Sequence, residues 1–310
     1  MPTSPLLSSP GGREAAAAGR PPPSGGGELE PPSSGPPSTL RRFVRPREPG
    51  LVETYAGRLR ALVGHHGQVA KLLAGALRAT FRRPFELRET IRQMEILGAR
   101  SLGIASVVAV FTGLVMAVQF AYGLQKFGGI EYTGRIIGLS FARELAPSLT
   151  SLVVGGRIGA GITAELGSMA VTEQIDAIAA LGADPVKKLV VPRLYASILV
   201  MPVLAAFALV LGFAGAMLIT AAEFGLSWQF FLNTALESVR FADFLSGMVK
   251  TPFFGAIIAL VGCHFGMTTR GGTEGVGSST TRSVVTISIA ILISDFVLTK
   301  ITMLLWPSGA

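Results

Sequence analysis

Arg143 and Glu144 stand side by side at the edge of an apolar stretch and are followed by Leu-Ala-Pro. Ionisable residues at membrane depth are expensive and therefore usually functional. A charged pair at a pocket mouth suits a zwitterionic or anionic head group; it reads equally as an interfacial ion pair that sets helix depth. Arg157 lies deeper, among Gly155, Gly156, Gly159, Gly161 and Gly167. Small residues four apart (Gly155/Gly159 and Ala160/Ala164/Ser168) let helix backbones approach closely in lipid. The expectation is tight helix packing, with Arg157 held in a structural pair by an acid such as Glu165 or Asp295. Asp295 interrupts its apolar run just as Arg157 does. A proton relay through these two would make the chain an ion-coupled secondary transporter, the alternative reading, although inverted repeats of that class are not visible.

Covalent chemistry has little support. Ser140 has no following glycine and no obvious base, His264 is the one histidine of its apolar region, and no His-Glu-x-x-His metal motif occurs. The single cysteine, Cys263, excludes an internal disulfide and a cysteine-based metal cluster. The segment Gly271–Thr281 is glycine-rich like a phosphate cradle, but a P-loop needs Gly-Lys-Ser/Thr. No Gly-Lys dipeptide occurs anywhere in the chain. These glycines are expected to form a compact cytoplasmic turn with a Ser/Thr cap opening the last apolar segment. No metal site, no bound cofactor and no enzymatic activity are expected.

Thr172-Glu173-Gln174-Ile175-Asp176-Ala177-Ile178 opens with a candidate Thr N-cap and acids in the first turn. Ile175, Ile178 and Leu181 make one apolar ridge, and Gly182 can close the helix. A polar helix between two apolar segments is either an ordinary loop helix or a coupling element that fits a cleft on a cytoplasmic partner.

These residues must be positioned by membrane helices. The 310-residue chain is 49% hydrophobic and only 15% charged, against about 25% charged in soluble domains. Its mean hydropathy is +0.53. Ser101–Gln125, Leu194–Ala222 and Thr251–Thr269 contain no Asp, Glu, Lys or Arg, and roughly 20 apolar residues span a bilayer as a helix. The period-2 alternation of an outer-membrane barrel is absent. The fold class is therefore all-α and polytopic, with five spans at about 101–125, 142–168, 188–222, 245–269 and 280–306. The net charge of +8 gathers before the first span, which holds the N-terminus in the cytoplasm and sends the C-terminus out; it does not signal nucleic acid.

Residues 1–50 are rich in Pro, Gly and Ser and lack apolar periodicity, so they read as a disordered tail. From about 53 to 98, Leu59, Leu62, Val63, Val69, Leu72, Leu73, Leu77 and Phe81 recur three and four apart between basic residues. That pattern fits an amphipathic helix in the cytoplasmic interface, broken near Pro84, or a helix packed on the protein's own flank.

Taken together, Arg143–Pro147, Gly156–Met169, Val171–Ile178 with Asp184-Pro185, and Gly275–Val285 with Asp295–Thr299 resemble the MlaE family of permease subunits from ABC-type lipid transporters. The likeness covers about 60–306 within the domain 51–310. It implies a homodimeric, multi-pass permease in the inner membrane of a double-membraned bacterium. A separate ABC ATPase would hold ATP and Mg²⁺ below, an MCE-domain subunit would sit above in the periplasm, and a STAS-domain regulator is a further partner. The cargo would be phospholipid or a related lipid. Glu173–Leu181, with Thr172, would correspond to the coupling helix. The lipid cavity would be lined by Met116, Gln119, Leu124 and Phe127 from the first span and by Arg143, Glu144 and Leu145.

Overall fold

Ser101, Ala105, Ala109, Gly113, Ala117 and Ala121 recur every four residues and form the buried stripe of the first long helix. A stripe of small side chains admits a neighbouring backbone, and packing of this kind holds helices together in lipid. The neighbour is the third span. Gly113 lies against the Gly212 carbonyl, and a Cβ added at Gly215 would sit 2.5 Å from the Val110 carbonyl oxygen. Gly98 meets Val200 just as Gly113 meets Gly212, so the contacts advance together along both helices and the first and third spans run parallel.

The computed structural model describes residues 72–76, 78 and 86–305, all within one unit, Tyr55–Ala310. The expected tail at 1–50, most of the expected interfacial helix and Trp306 lie outside the described residues. The elements are α1 (Leu87–Gln125), a 3₁₀ turn (Ile130–Tyr132), α2 (Thr133–Ser140), a π-helical stretch (Phe141–Leu149), α3 (Thr150–Val171), α4 (Gln174–Ala180), a second π turn (Val186–Val190), α5 (Val191–Phe224), α6 (Trp228–Ser238), α7 (Phe241–Met267) and α8 (Gly272–Leu305). There is no strand among the described residues. Five of these segments are long and apolar enough to cross a membrane: Leu87–Gln125, Ile130–Val171, Val186–Phe224, Phe241–Met267 and Gly272–Leu305. The chain is an all-α, multi-pass membrane protein.

Glycine contacts fix the rest of the register. Gly247 meets Ala142 and Gly266 meets Leu166, so α7 runs parallel to the second span; Gly155 meets Ile291 and Gly159 meets Ile287, so α8 runs antiparallel to α3. α4 therefore lies at one end of the bundle and α2 with α6 at the other. Two apolar cores correspond to these ends, one around Ile158, Leu204 and Phe254, the other around Ile137, Phe141 and Phe231.

Several expected boundaries move. The interfacial helix ending at 98 and the span starting at 101 are one helix from Leu87, because Thr90, Gln93 and Leu97 extend the same buried stripe and nothing there breaks it. The short described stretch 72–76 packs on the protein's flank: Ala76 is fully buried and Leu72 joins the same core. The glycine segment after Arg270 is not a compact turn. Only Gly271 and Gly272 take left-handed backbone, and α8 begins at Gly272, well before the expected Ser/Thr cap. The region 223–244, between the expected third and fourth spans, contains α6.

Candidate functional site

The π-helical stretch Phe141–Leu149 surrounds Pro147, which has no N–H to donate. Such widened turns recur at functional positions in helices. This one turns Arg143 and Glu144 toward α7 and α8, where Lys250 waits. Lys250 is 1% exposed and lies nine residues after Phe241 in α7, about 14 Å along a helix long and apolar enough to cross a membrane.

An ammonium buried there needs all three of its donors satisfied. Lys250 Nζ lies 2.8 Å from Glu144 Oε1 and 2.8 Å from Oε2, 2.6 Å from Thr299 Oγ1, 3.3 Å from Asp295 Oδ1 and 3.4 Å from the Arg143 carbonyl. Thr299 Oγ1 in turn donates to Glu144 Oε1 at 3.0 Å. Arg143 Nε donates to Asp243 Oδ1 at 2.8 Å, with a second, short contact from Nη2. Asp243 Oδ2 accepts from the Arg240 backbone N–H at 3.0 Å, which also caps α7. Two cations thus face three carboxylates across the second, fourth and fifth spans. Glu144, its side chain 39% exposed, is the open member.

Arg143 and Glu144 are thus not a pair with each other: each has its partner on α7. Leu145 and Met116 pack against the other side, in the Phe141 core facing α1 and α5. Met116 also lines an open apolar depression of about 280 Å³ with Phe111, Thr112 and Val115. Gln119 and Phe127 are exposed and Leu124 is half-buried.

The expected partnership of Arg157 with Glu165 or Asp295 does not form. Glu165 is eight residues further along the same helix, about 12 Å away, and Asp295 is taken by Lys250. Arg157 donates instead to Ser101 Oγ at 2.7 Å. Glu165 pairs with Arg193 at 2.8 Å, and Arg193, buried at the start of α5, also donates to the Leu189 carbonyl at 2.7 Å. Lys250 and Arg193 are the buried, ion-paired charges that sequence reasoning missed. Lys250 immediately precedes the charge-free run Thr251–Thr269, and Arg193 immediately precedes Leu194–Ala222, so a search for uncharged runs steps past both.

At the opposite end, α4 is seven residues long. Ile175 and Ile178 seat on the bundle core, while Thr172, Glu173, Gln174 and Asp176 are exposed. The apolar ridge is shorter than expected, because Leu181 is 87% exposed. Thr172 is not the N-cap: its hydroxyl donates back to the Ser168 carbonyl at 2.8 Å, closing α3. Glu173 takes that position with φ 59°. It is the non-glycine residue with left-handed backbone among the described residues, a conformation that costs an ordinary side chain roughly 1–2 kcal/mol. Strain of this kind gathers at functional sites. Gly182, at φ 77°, closes the helix as expected, and Ala183 N–H returns to the Ile178 carbonyl.

Comparison with known proteins fits this geometry. The family model described as Permease MlaE matches residues 90–301. A protein of Arabidopsis thaliana named TRIGALACTOSYLDIACYLGLYCEROL 1, chloroplastic, is 41% identical over 213 residues, covering 69% of this chain and 61% of that protein's length. A probable ABC transporter permease of Synechocystis is 42% identical over 211 residues, 68% of this chain and 80% of the relative. A probable ABC transporter permease of Rickettsia typhi is 36% identical over 226 residues, 73% and 87% respectively.

Proposed function

The chain belongs to the MlaE permease family, and on that premise we propose that it is the membrane subunit of an ABC transporter that moves phospholipid or a related lipid between the inner and outer membranes. The observation that carries the reading is α4. Two isoleucines fix it to the bundle while its acids and amide remain exposed between two spans. A partner ATPase that holds ATP and Mg²⁺ engages this face, and its cycle changes the bundle's affinity for lipid. Uphill movement requires that difference between states.

The α4 end is then cytoplasmic and the α6 end periplasmic, beneath an MCE-domain subunit; a STAS-domain regulator acts on the ATPase. The plant relative is named after trigalactosyldiacylglycerol, a lipid, which supports a lipid cargo. A homodimer is supported by the surface of α3. Arg157, Gly161, Glu165, Ser168 and Thr172 form one exposed strip, and an exposed arginine at that depth is poorly placed against acyl chains; a second copy would cover it. The charge cluster offers Glu144 and Arg143 to the lipid head group.

The test is the composition of the purified complex. Copurification of an ABC ATPase and an MCE-domain subunit, with loss of the ATPase in Glu173→Lys and Asp176→Lys, is the expected result. A chain that transports lipid alone, without nucleotide, overturns the reading and revives an ion-coupled mechanism. That mechanism has lost its direct Arg157–Asp295 pair.

A further inference from the structure

α6 joins α5 to α7 through linkers of three residues (Gly225–Ser227) and two residues (Val239–Arg240). Both neighbours are membrane spans, so α6 is confined to the level where they leave the hydrocarbon. Its faces segregate. Phe231 and Ala235 are buried against α2, where Gly134 approaches the Phe231 carbonyl and Gly138 approaches Ala235. Ser238 Oγ adds a hydrogen bond to the Arg135 carbonyl at 3.2 Å. Beside that buried face, Trp228, Leu232 and Leu236 recur every four residues; Trp228 is 60% and Leu236 65% exposed. Gln229, Asn233 and Glu237 recur with the same spacing about 100° further round the helix, opposite the buried face, with half-exposed Phe230 at the far edge of that row.

We propose that α6 lies in the plane of the membrane interface, with Trp228, Leu232 and Leu236 in the acyl boundary of one leaflet and Gln229, Asn233 and Glu237 in water. A helix with a separate apolar flank, bounded by a polar one, partitions in this way. The occupant is a leaflet because the membrane spans on either side of α6 also expose large apolar side chains near it in sequence, Leu218 before it and Phe241 after it. The same end of the bundle also carries basic–aromatic pairs that mark an interface: Lys126 sits 4.6 Å from the Tyr122 ring and Arg135 5.9 Å from the Tyr132 ring. Because α6 is locked to α2, and α2 runs straight into Phe141–Leu149, this contact sets the depth of Arg143 and Glu144 relative to the head groups. α6 is a float for the charged site.

The chain has two tryptophans, so Trp306→Phe makes Trp228 the sole reporter. The full chain is reconstituted in phosphatidylcholine vesicles whose acyl chains carry bromine near the ester end or near the methyl end. The expected result is blue-shifted emission that loses most of its intensity to ester-end bromine, less to methyl-end bromine and little to aqueous iodide. Leu236→Glu should shift the emission to the red. Quenching by iodide instead puts α6 in water, and insensitivity to both quenchers means that protein, a partner or a second copy, covers the flank; either outcome overturns the proposal. Should Trp306→Phe fold poorly, the difference between wild type and Trp228→Phe reads the same quantity.

Discussion

Lys250 Nζ lies 2.8 Å from both carboxylate oxygens of Glu144, although the residues are 106 positions apart. The bond ties the second span to the fourth within their membrane-crossing segments, and Asp295 and Thr299 bring in the fifth. A lysine placed there singly would be costly; in this setting it is the hub around which three helices are arranged.

Removing that hub leaves Glu144 and Asp295 facing each other without a cation. Lys250→Met should destabilise the bundle by about 3 kcal/mol, the usual penalty for breaking a buried pair from one side. Glu144→Gln should cost less, since the amide oxygen still accepts from Lys250 and Asp295 still neutralises it. Thermal unfolding of the two variants in detergent checks the order. Equal midpoints contradict it.

The Arg193–Glu165 bridge has the same asymmetry, a buried cation facing a more exposed acid. Arg193 is buried, whereas the Glu165 side chain is 55% exposed. Glu165→Ala strands a buried guanidinium and should cost roughly 3 kcal/mol. Arg193→Met returns Glu165 to a more polar surrounding and fills the space with an apolar chain, for an expected cost below about 1 kcal/mol. Denaturation midpoints measured side by side decide whether burial or charge count governs this pair.

The parallel contact of α1 with α5 depends on the absence of side chains. Gly215→Leu would force atoms into the Val110 carbonyl and should lower stability by about 3 kcal/mol, at the upper end of overpacking costs. Gly103→Ala, with nothing within 4 Å of the added carbon, should change the thermal midpoint little.

Glu173 separates conformation from charge at the start of α4. Glu173→Gly removes the left-handed strain and should stabilise the chain by about 1 kcal/mol, while weakening ATPase capture if the carboxylate is the contact. Stability is read by thermal unfolding and capture by copurification. Full ATPase binding by Glu173→Gly assigns the contact to the backbone turn instead.

The spans were legible in the sequence because runs such as Ser101–Gln125 admit no other reading. Arg143, Glu144, Arg157 and Asp295 were legible for the converse reason, as charges among apolar neighbours. The partners were not. That Arg157 meets Ser101 and not an acid depends on helix rotation and register, and the π-helical widening around Pro147 rotates Arg143 and Glu144 in a way no spacing rule reports. Lys250 and Arg193 were hidden at the edges of charge-free runs. α6 was hidden in a mixed loop, though Ser227, whose hydroxyl accepts from the Phe230 N–H at 3.1 Å, was a readable start signal.

The central claim is that α4 receives the work of an ATPase. The direct measurement is ATP-dependent transfer of a fluorescent phospholipid by the reconstituted complex, with wild type and Asp176→Lys compared at equal ATPase content. The account predicts transfer in the wild type that requires ATP, and its loss in Asp176→Lys while the chain remains folded. Transfer that proceeds without ATP, or that Asp176→Lys leaves at the wild-type rate, contradicts it.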